Sequence, residues 1–193
     1  MATDWDIIQA VLAGHQDRYA ELVERYQGAA IKVAYGFVGN YEDARELSQN
    51  GFVKAYEHLR DFRGHSKFST WLYRIVVNEC KDFLKAKSRR PSTVSLSRDA
   101  DDEEEGNALF EVEDPGHGPS ESMANRELAK QLTHAIEGLP MQQRTAFLLH
   151  HVQGLSLEEV AQVMECRLGT VKAHIFRATE HLRATMKSWP EQA

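Results

Sequence analysis

The chain has 193 residues, 42 % of them hydrophobic and 27 % charged, with a formal net charge of −6, a composition that fits one or two small soluble domains. No apolar run approaches the roughly 18 residues of a membrane span, and Asp4 and Asp6 stand where a secretory signal needs cations, so a cytoplasmic protein with no direct membrane insertion is expected. Cys80 and Cys166 lie far apart within helical patterns, which excludes a disulfide framework and marks them as reduced packing residues.

The first predicted helix, about Asp4 to Ala13, puts Ile7, Ile8, Val11 and Leu12 on one side and ends at Gly14. From Asp17, read as an N-cap, a longer helix carries Tyr19, Leu22, Val23, Tyr26, Ala30, Val33 and Phe37 at helical spacing until Gly39-Asn40 breaks it. A third runs from about Tyr41 to Leu59, with Ala44, Leu47, Phe52, Ala55, Tyr56 and Leu59 as its apolar members. It contains Asn50-Gly51, a turn dipeptide whose glycine alone costs about 1 kcal/mol relative to Ala inside a helix. Continuity through that dipeptide is expected.

The loop Asp61 to Lys67 leads into a fourth helix, Phe68 to about Ser88, whose apolar stripe is Leu72, Ile75, Val76, Cys80 and Phe83. Trp71, Tyr73, Arg74, Asn78, Lys81 and Lys85 are placed off that stripe, and cations accumulate toward Lys87, Arg89 and Arg90. Exposed aromatics beside cations suit unpaired nucleic acid, because bases stack on rings while cations hold phosphates. A helix C-terminus enriched in cations by its dipole would give the same charge pattern.

Periodicity vanishes from Pro91 to Pro119, where Asp101 to Glu105 is an unbroken acidic run. The net charge resolves accordingly: residues 1–98 hold 15 Lys and Arg against 12 Asp and Glu, residues 99–120 hold 9 acids and no cation, and residues 121–193 hold 8 of each. An acidic flexible linker over 91–120 therefore separates a helical domain, 1–90, from a second, 121–187. In the second, Leu128, Leu132, Ala135, Ile136 and Leu139 mark one helix, and Pro140 opens another through Phe147, Leu148, Leu149 and Val152. Ser156 and Glu159 form a capping box before Leu157, Val160, Ala161 and Met164. After the short break Glu165 to Gly169, a last helix turns Leu168, Val171, Ile175, Ala178 and Leu182 inward. Its outer face holds Thr170, Ala173, His174 and Arg177, flanked by Lys172, Phe176 and Arg183. Short side chains with cations on a second helix are what a helix-turn-helix presents to base edges and phosphates. The fold class expected is all-α, with two helical domains.

Three blocks, FRGHSKFSTWLYRIVVNECKDFL (62–84), LPMQQRTAFLLHHVQGLSLEEVAQVM (139–164) and CRLGTVKAHIFRATEHLR (166–183), occur in order across nearly the whole chain. In these the chain resembles the extracytoplasmic-function (ECF) sigma factors of bacteria, especially the sigma-E type. The resemblance implies a protein that binds core RNA polymerase and directs promoter recognition and melting, in a stress response controlled by an anti-sigma factor, often membrane-anchored. It implies contact with core polymerase through Asp43, Ala44, Leu47, Gln49, Phe52, Ala55 and Tyr56. The minus-ten element and strand separation would fall to Phe62, Arg63, Gly64, His65, Ser66, Lys67, Phe68, Trp71, Arg74, Asn78 and Lys81. The minus-thirty-five element would meet Thr170, Lys172, Ala173, His174, Phe176 and Arg177. His65 departs from the acidic residue of close family members, Lys172 and His174 from arginines, and Asn50-Gly51 from an acidic and a small residue.

Two rival functions have different consequences. A two-domain helix-turn-helix regulator would bind an operator without polymerase, and the second domain fits it equally well. A metal enzyme is suggested by nine histidines, but no HExxH, cysteine pair, carboxylate cluster, nucleophile with a base or phosphate loop accompanies them. No catalytic residue, metal or cofactor is expected.

Overall fold

The computed structural model describes residues 2–89, 128 and 131–187, and all regular structure among them is helical. The acidic linker expected over 91–120 lies outside the described residues.

The N-terminal module is built on α1 (Asp4–Leu12), α2 (Tyr19–Val38), α3 (Tyr41–Glu57) and α4 (Phe68–Arg89). Each boundary has a local cause. Thr3 and Asp6 form a reciprocal capping box on α1, which satisfies backbone donors that a helix start leaves without partners. Asp17 does not cap the second helix: the chain enters α2 through a 3₁₀ turn, Gln16–Arg18, with no side-chain cap on either piece. Gly39, at φ 68°, ends α2 in the left-handed conformation, and the Asn40 side chain then accepts from the Asp43 amide at 2.9 Å to start α3. Leu59, expected at the end of the third helix, belongs instead to a 3₁₀ turn, Leu59–Asp61.

The third helix is continuous through Asn50-Gly51. Gly51 is buried, and a Cβ there would lie 2.6 Å from Val76 Cγ2, so the glycine permits α3 and α4 to approach closely. Gly51→Ala should therefore destabilise the module despite alanine's better helix propensity. Overpacking typically costs about 1–3 kcal/mol, against about 1 kcal/mol regained in propensity. A lowered denaturation midpoint at unchanged helical content is the expected result, and an unchanged or raised midpoint would contradict it.

The C-terminal module contains α5 (131–137, with residue 128 also helical), α6 (Met141–Phe147), a π-helical turn (Leu148–Val152), α7 (Leu157–Met164) and α8 (Leu168–Lys187). The capping box of Ser156 and Glu159 forms on α7, and Glu165, at φ 51°, ends it. The π turn was not legible in the sequence. It is followed by a bend in which His150 Nδ1 lies 2.8 Å from the Leu155 carbonyl oxygen.

The modules pack on each other through one apolar core. Leu148 fills the notch at Gly36, where a Cβ would come within 2.6 Å of Leu148 Cδ2. Beside it, buried Arg144 donates from Nη1 to the Phe37 carbonyl oxygen at 2.8 Å, and burial pushes its guanidinium pKa down. Farther out, α7 rests on α4, with ion pairs Lys67–Glu159 at 2.8 Å and Arg74–Glu165 at 3.0 Å.

Candidate nucleic-acid interface

The loop between α3 and α4 is organised by aromatic packing. Phe62 and Phe68 are both buried, with ring centroids 5.9 Å apart and nearly perpendicular at 82°. Trp71 packs against both, at 5.4 and 5.9 Å, and Tyr26 of α2 lies 5.6 Å from Phe68. Edge and tilted contacts of this kind set ring geometry as well as burying area.

This corrects the expectation of exposed aromatics on the fourth helix. Tyr73 is buried, Phe68 is buried, and Trp71 is half-buried; Phe68 packs on Tyr26 of α2, and Trp71 on Phe62 of the loop. What the loop presents outward is polar: Arg63, Gly64, His65 and Lys67 are exposed, and Ser66 is half-buried. Gly64 adopts φ +72°, a conformation that L side chains rarely enter. Asn78 is exposed on α4, while Arg74 and Lys81 are half-exposed.

Helix α7 overlies part of this surface. His65, Ser66, Thr70, Trp71 and Arg74 share a cleft with Gln162 of α7, and Thr70 Oγ1 is buried there with no hydrogen-bond partner. A second cleft holds Trp71, Arg74, Asn78 and Glu79 together with Glu165. Glu159 is held below its usual pKa, first by the hydrogen bond from Lys67 and then by the Ser156 backbone.

In the helix-turn-helix, Val171, Ala178 and Leu182 of α8 are buried, and Leu168 and Ile175 are half-buried against the module. Thr170, Lys172, Ala173, Phe176 and Arg177 are exposed; Phe176 shows 67 % of its surface. His174 departs from the outer-face assignment: it is half-buried, with Nδ1 enclosed and unpartnered. The five exposed side chains share one face, and no α7 residue covers them in an ion pair or hydrogen bond among the described contacts.

The residues expected to meet core polymerase divide sharply. Ala44, Leu47, Phe52 and Ala55 lie inside the N-terminal core, because they form the stripe of α3 that faces α2 and α4. Asp43, Gln49 and Tyr56 remain accessible. Gln49 and Tyr56 line a groove of about 690 Å³ between α2 and α3, with Val23, Gln27, Ile31 and Val53. Its geometry is fixed by Tyr19, which donates to the Phe52 carbonyl oxygen at 2.8 Å and meets the Tyr56 ring edge-on at 5.0 Å. Val53, 51 % exposed, was missed from sequence; an apolar residue outside the buried stripe of α3 was the available signal.

Among the described residues there is no group of three or more His, Cys, Asp and Glu able to hold a metal, and no helix long and apolar enough to cross a membrane. Cys80 is buried, and its thiol pKa is pushed up to about 12 chiefly by burial, which makes it unreactive packing.

Known proteins share this arrangement. The family model for sigma-70 region 2 matches residues 22–90, and that for sigma-70 region 4 matches residues 129–182. The chain is 39 % identical over 179 residues to the ECF RNA polymerase sigma-E factor of Escherichia coli K12, covering 92 % of this chain and 91 % of that protein. It is 37 % identical over 179 residues to the sigma-E factor of Haemophilus influenzae, covering 92 % of each. Among solved structures, CnrH in complex with the cytosolic domain of CnrY is similar at TM-score 0.68 and 21 % identity, over 95 % of this chain and 97 % of that one. The sigma factor RpoE of Bartonella quintana, in complex with the anti-sigma factor NepR, is similar at TM-score 0.63 and 19 % identity, over 89 % of this chain and 98 % of that one. At these identities the structural likeness establishes the fold.

Proposed function

Since the chain belongs to the ECF RNA polymerase sigma factors of the sigma-E type, we propose that it works as two modules, 1–90 and 121–187, which read the two promoter elements on core polymerase. It is a regulatory subunit and not an enzyme. The observation that carries the assignment of elements is the contrast between the two surfaces. The outer face of α8 is a rigid helix with short side chains and cations, suited to duplex DNA in the major groove. The loop 62–68 is a polar rim over fixed aromatics, with Asn78 farther along α4 in a cleft shared by Trp71 and Arg74, suited to an unpaired base.

The groove beside Gln49, Val53 and Tyr56 supplies the surface for core polymerase. Ala44, Leu47, Phe52 and Ala55 act there through position, holding α3 against α2. An anti-sigma factor, the partner of the Bartonella relative, would control access to these surfaces in a stress response.

The packed arrangement cannot read both elements at once. Sites named for minus thirty-five and minus ten lie roughly 25 base pairs apart, about 85 Å of duplex at about 3.4 Å per pair. The modules here are in contact, so they must separate on the promoter. The thirty residues 91–120, at up to about 3.3–3.6 Å each, provide enough chain for that span.

The reading helix gives the direct test. Lys172→Ala and Arg177→Ala should leave the fold intact, because both side chains are exposed. Loss of a base-edge contact costs about 1–3 kcal/mol of discrimination, whereas loss of a phosphate contact weakens all sequences evenly. Run-off transcription and promoter binding by the reconstituted holoenzyme would show which applies. Full activity in both variants would remove α8 from promoter recognition. Binding of the free chain to isolated operator DNA, without polymerase, would favour the rival regulator.

A further inference from the structure

Trp5 stands outside every assignment above and outside the matched family segment, 22–90. It lies on α1, 46 % exposed, at the open edge of the aromatic cluster. Its ring centroid is 6.2 Å from that of Phe62, at an interplanar angle of 51°. Gly64 sits directly against the indole: a Cβ there would be 3.0 Å from Trp5 Cζ3. The left-handed glycine and the indole thus fit each other, and the N-terminal helix is fastened to the loop.

The same indole borders a cavity of about 410 Å³ with Arg63, Gly64, Ser66, Lys67 and Asp4. Arg63 is an exposed cation at its rim, and Lys67, paired with Glu159 of α7 while the modules are docked, becomes a second once they separate. Asp4, the acid that would repel a phosphate, is committed elsewhere: it pairs with Arg25 and accepts from the Tyr26 hydroxyl at 2.5 Å. A half-exposed aromatic platform, two cations and a neutralised acid are the elements of a stacking site for single-stranded nucleic acid.

We infer that Trp5 is a stacking platform for one unpaired base of the displaced promoter strand, beside the base or bases captured by the loop 62–68. The occupant is argued from continuity with that loop and from the positive rim. The inference rests on the promoter-melting role proposed for the loop.

The test uses holoenzyme reconstituted with core polymerase and a promoter whose minus-ten region is already unpaired. Trp5→Ala should weaken binding about 5- to 150-fold, the range expected from losing one base–aromatic stack, while Trp5→Phe stays near wild type. Placing an abasic nucleotide at successive positions of the displaced strand locates the contact. At one position the abasic site should weaken wild type and erase its advantage over Trp5→Ala. A loss that is the same at every position would mean that Trp5 only pins the loop, and would overturn the proposal. So would equal affinities of Trp5→Ala and wild type, or a Trp5→Ala defect confined to core-polymerase binding. If wild-type holoenzyme itself fails to prefer the unpaired promoter over core polymerase alone, the melting role falls, a different outcome from any of these.

Discussion

Gly36→Val should open the molecule. The three nearest atoms that a Cβ at Gly36 would meet all belong to Leu148 of the other module, at 2.6, 2.7 and 3.2 Å. Within α2 the substitution removes a glycine from a helix interior, which does not weaken the helix. Leu148 is fully buried and has little room to yield. The collision is worth about 1–3 kcal/mol, and each 1.4 kcal/mol is about tenfold in an equilibrium, so the ratio of docked to open molecules should fall by roughly 5- to 150-fold. Small-angle scattering should report a larger radius of gyration, with helical content unchanged. Gly28→Val is the control, since a Cβ at Gly28 meets nothing within 4 Å. Scattering curves that superimpose for Gly36→Val and wild type would show that Leu148 is not what holds the modules together.

Asn78→Ala should impair promoter opening far more than polymerase binding. Asn78 is exposed on α4 and borders the cleft shared by Trp71 and Arg74. Extruding a base from the stack costs a few kcal/mol, and a lost contact to that base is worth about 1–3 kcal/mol. Open complexes should therefore form about 5- to 150-fold less well, read as reduced permanganate reactivity of promoter thymines. A template with an unpaired minus-ten region should recover part of the defect, because the cost of unstacking has been met in advance. Weakened binding to core polymerase, or no recovery on the unpaired template, would place the role of Asn78 elsewhere.

The helices and several of their ends were the legible part of this chain, because their causes are local. The capping box of Ser156 and Glu159, the break at Gly39-Asn40 and the inward stripe of α8 each depend on residues within a few positions of one another. The burial of Phe62 and Phe68 was not legible. It depends on Tyr26 and Trp5, which lie far back in the chain and which helical periodicity cannot connect to a loop. Nor can a stripe of apolar residues on α3 say which of them touch a partner: the same spacing that marked Leu47 and Phe52 placed them inward. Two glycines carried information that propensity alone discards. Gly51 marks the close approach of α3 to α4, and Gly36 the seat of Leu148. The assignment of individual residues to promoter and polymerase came from family resemblance, because an exposed lysine has the same pattern whether it meets phosphate or water.

The pairs Lys67–Glu159 and Arg74–Glu165 bear on counterions. On single strands each phosphate neutralised lowers the slope of log affinity against log salt by about 0.7. Lys67 and Arg74 reach phosphate only after leaving carboxylates, and added salt screens those carboxylate pairs too. Salt therefore favours release of the two cations while it disfavours their capture by DNA. The apparent slope for the docked protein is shallower than its phosphate contacts would give, and counting contacts from that slope would miss the cations already neutralised by α7.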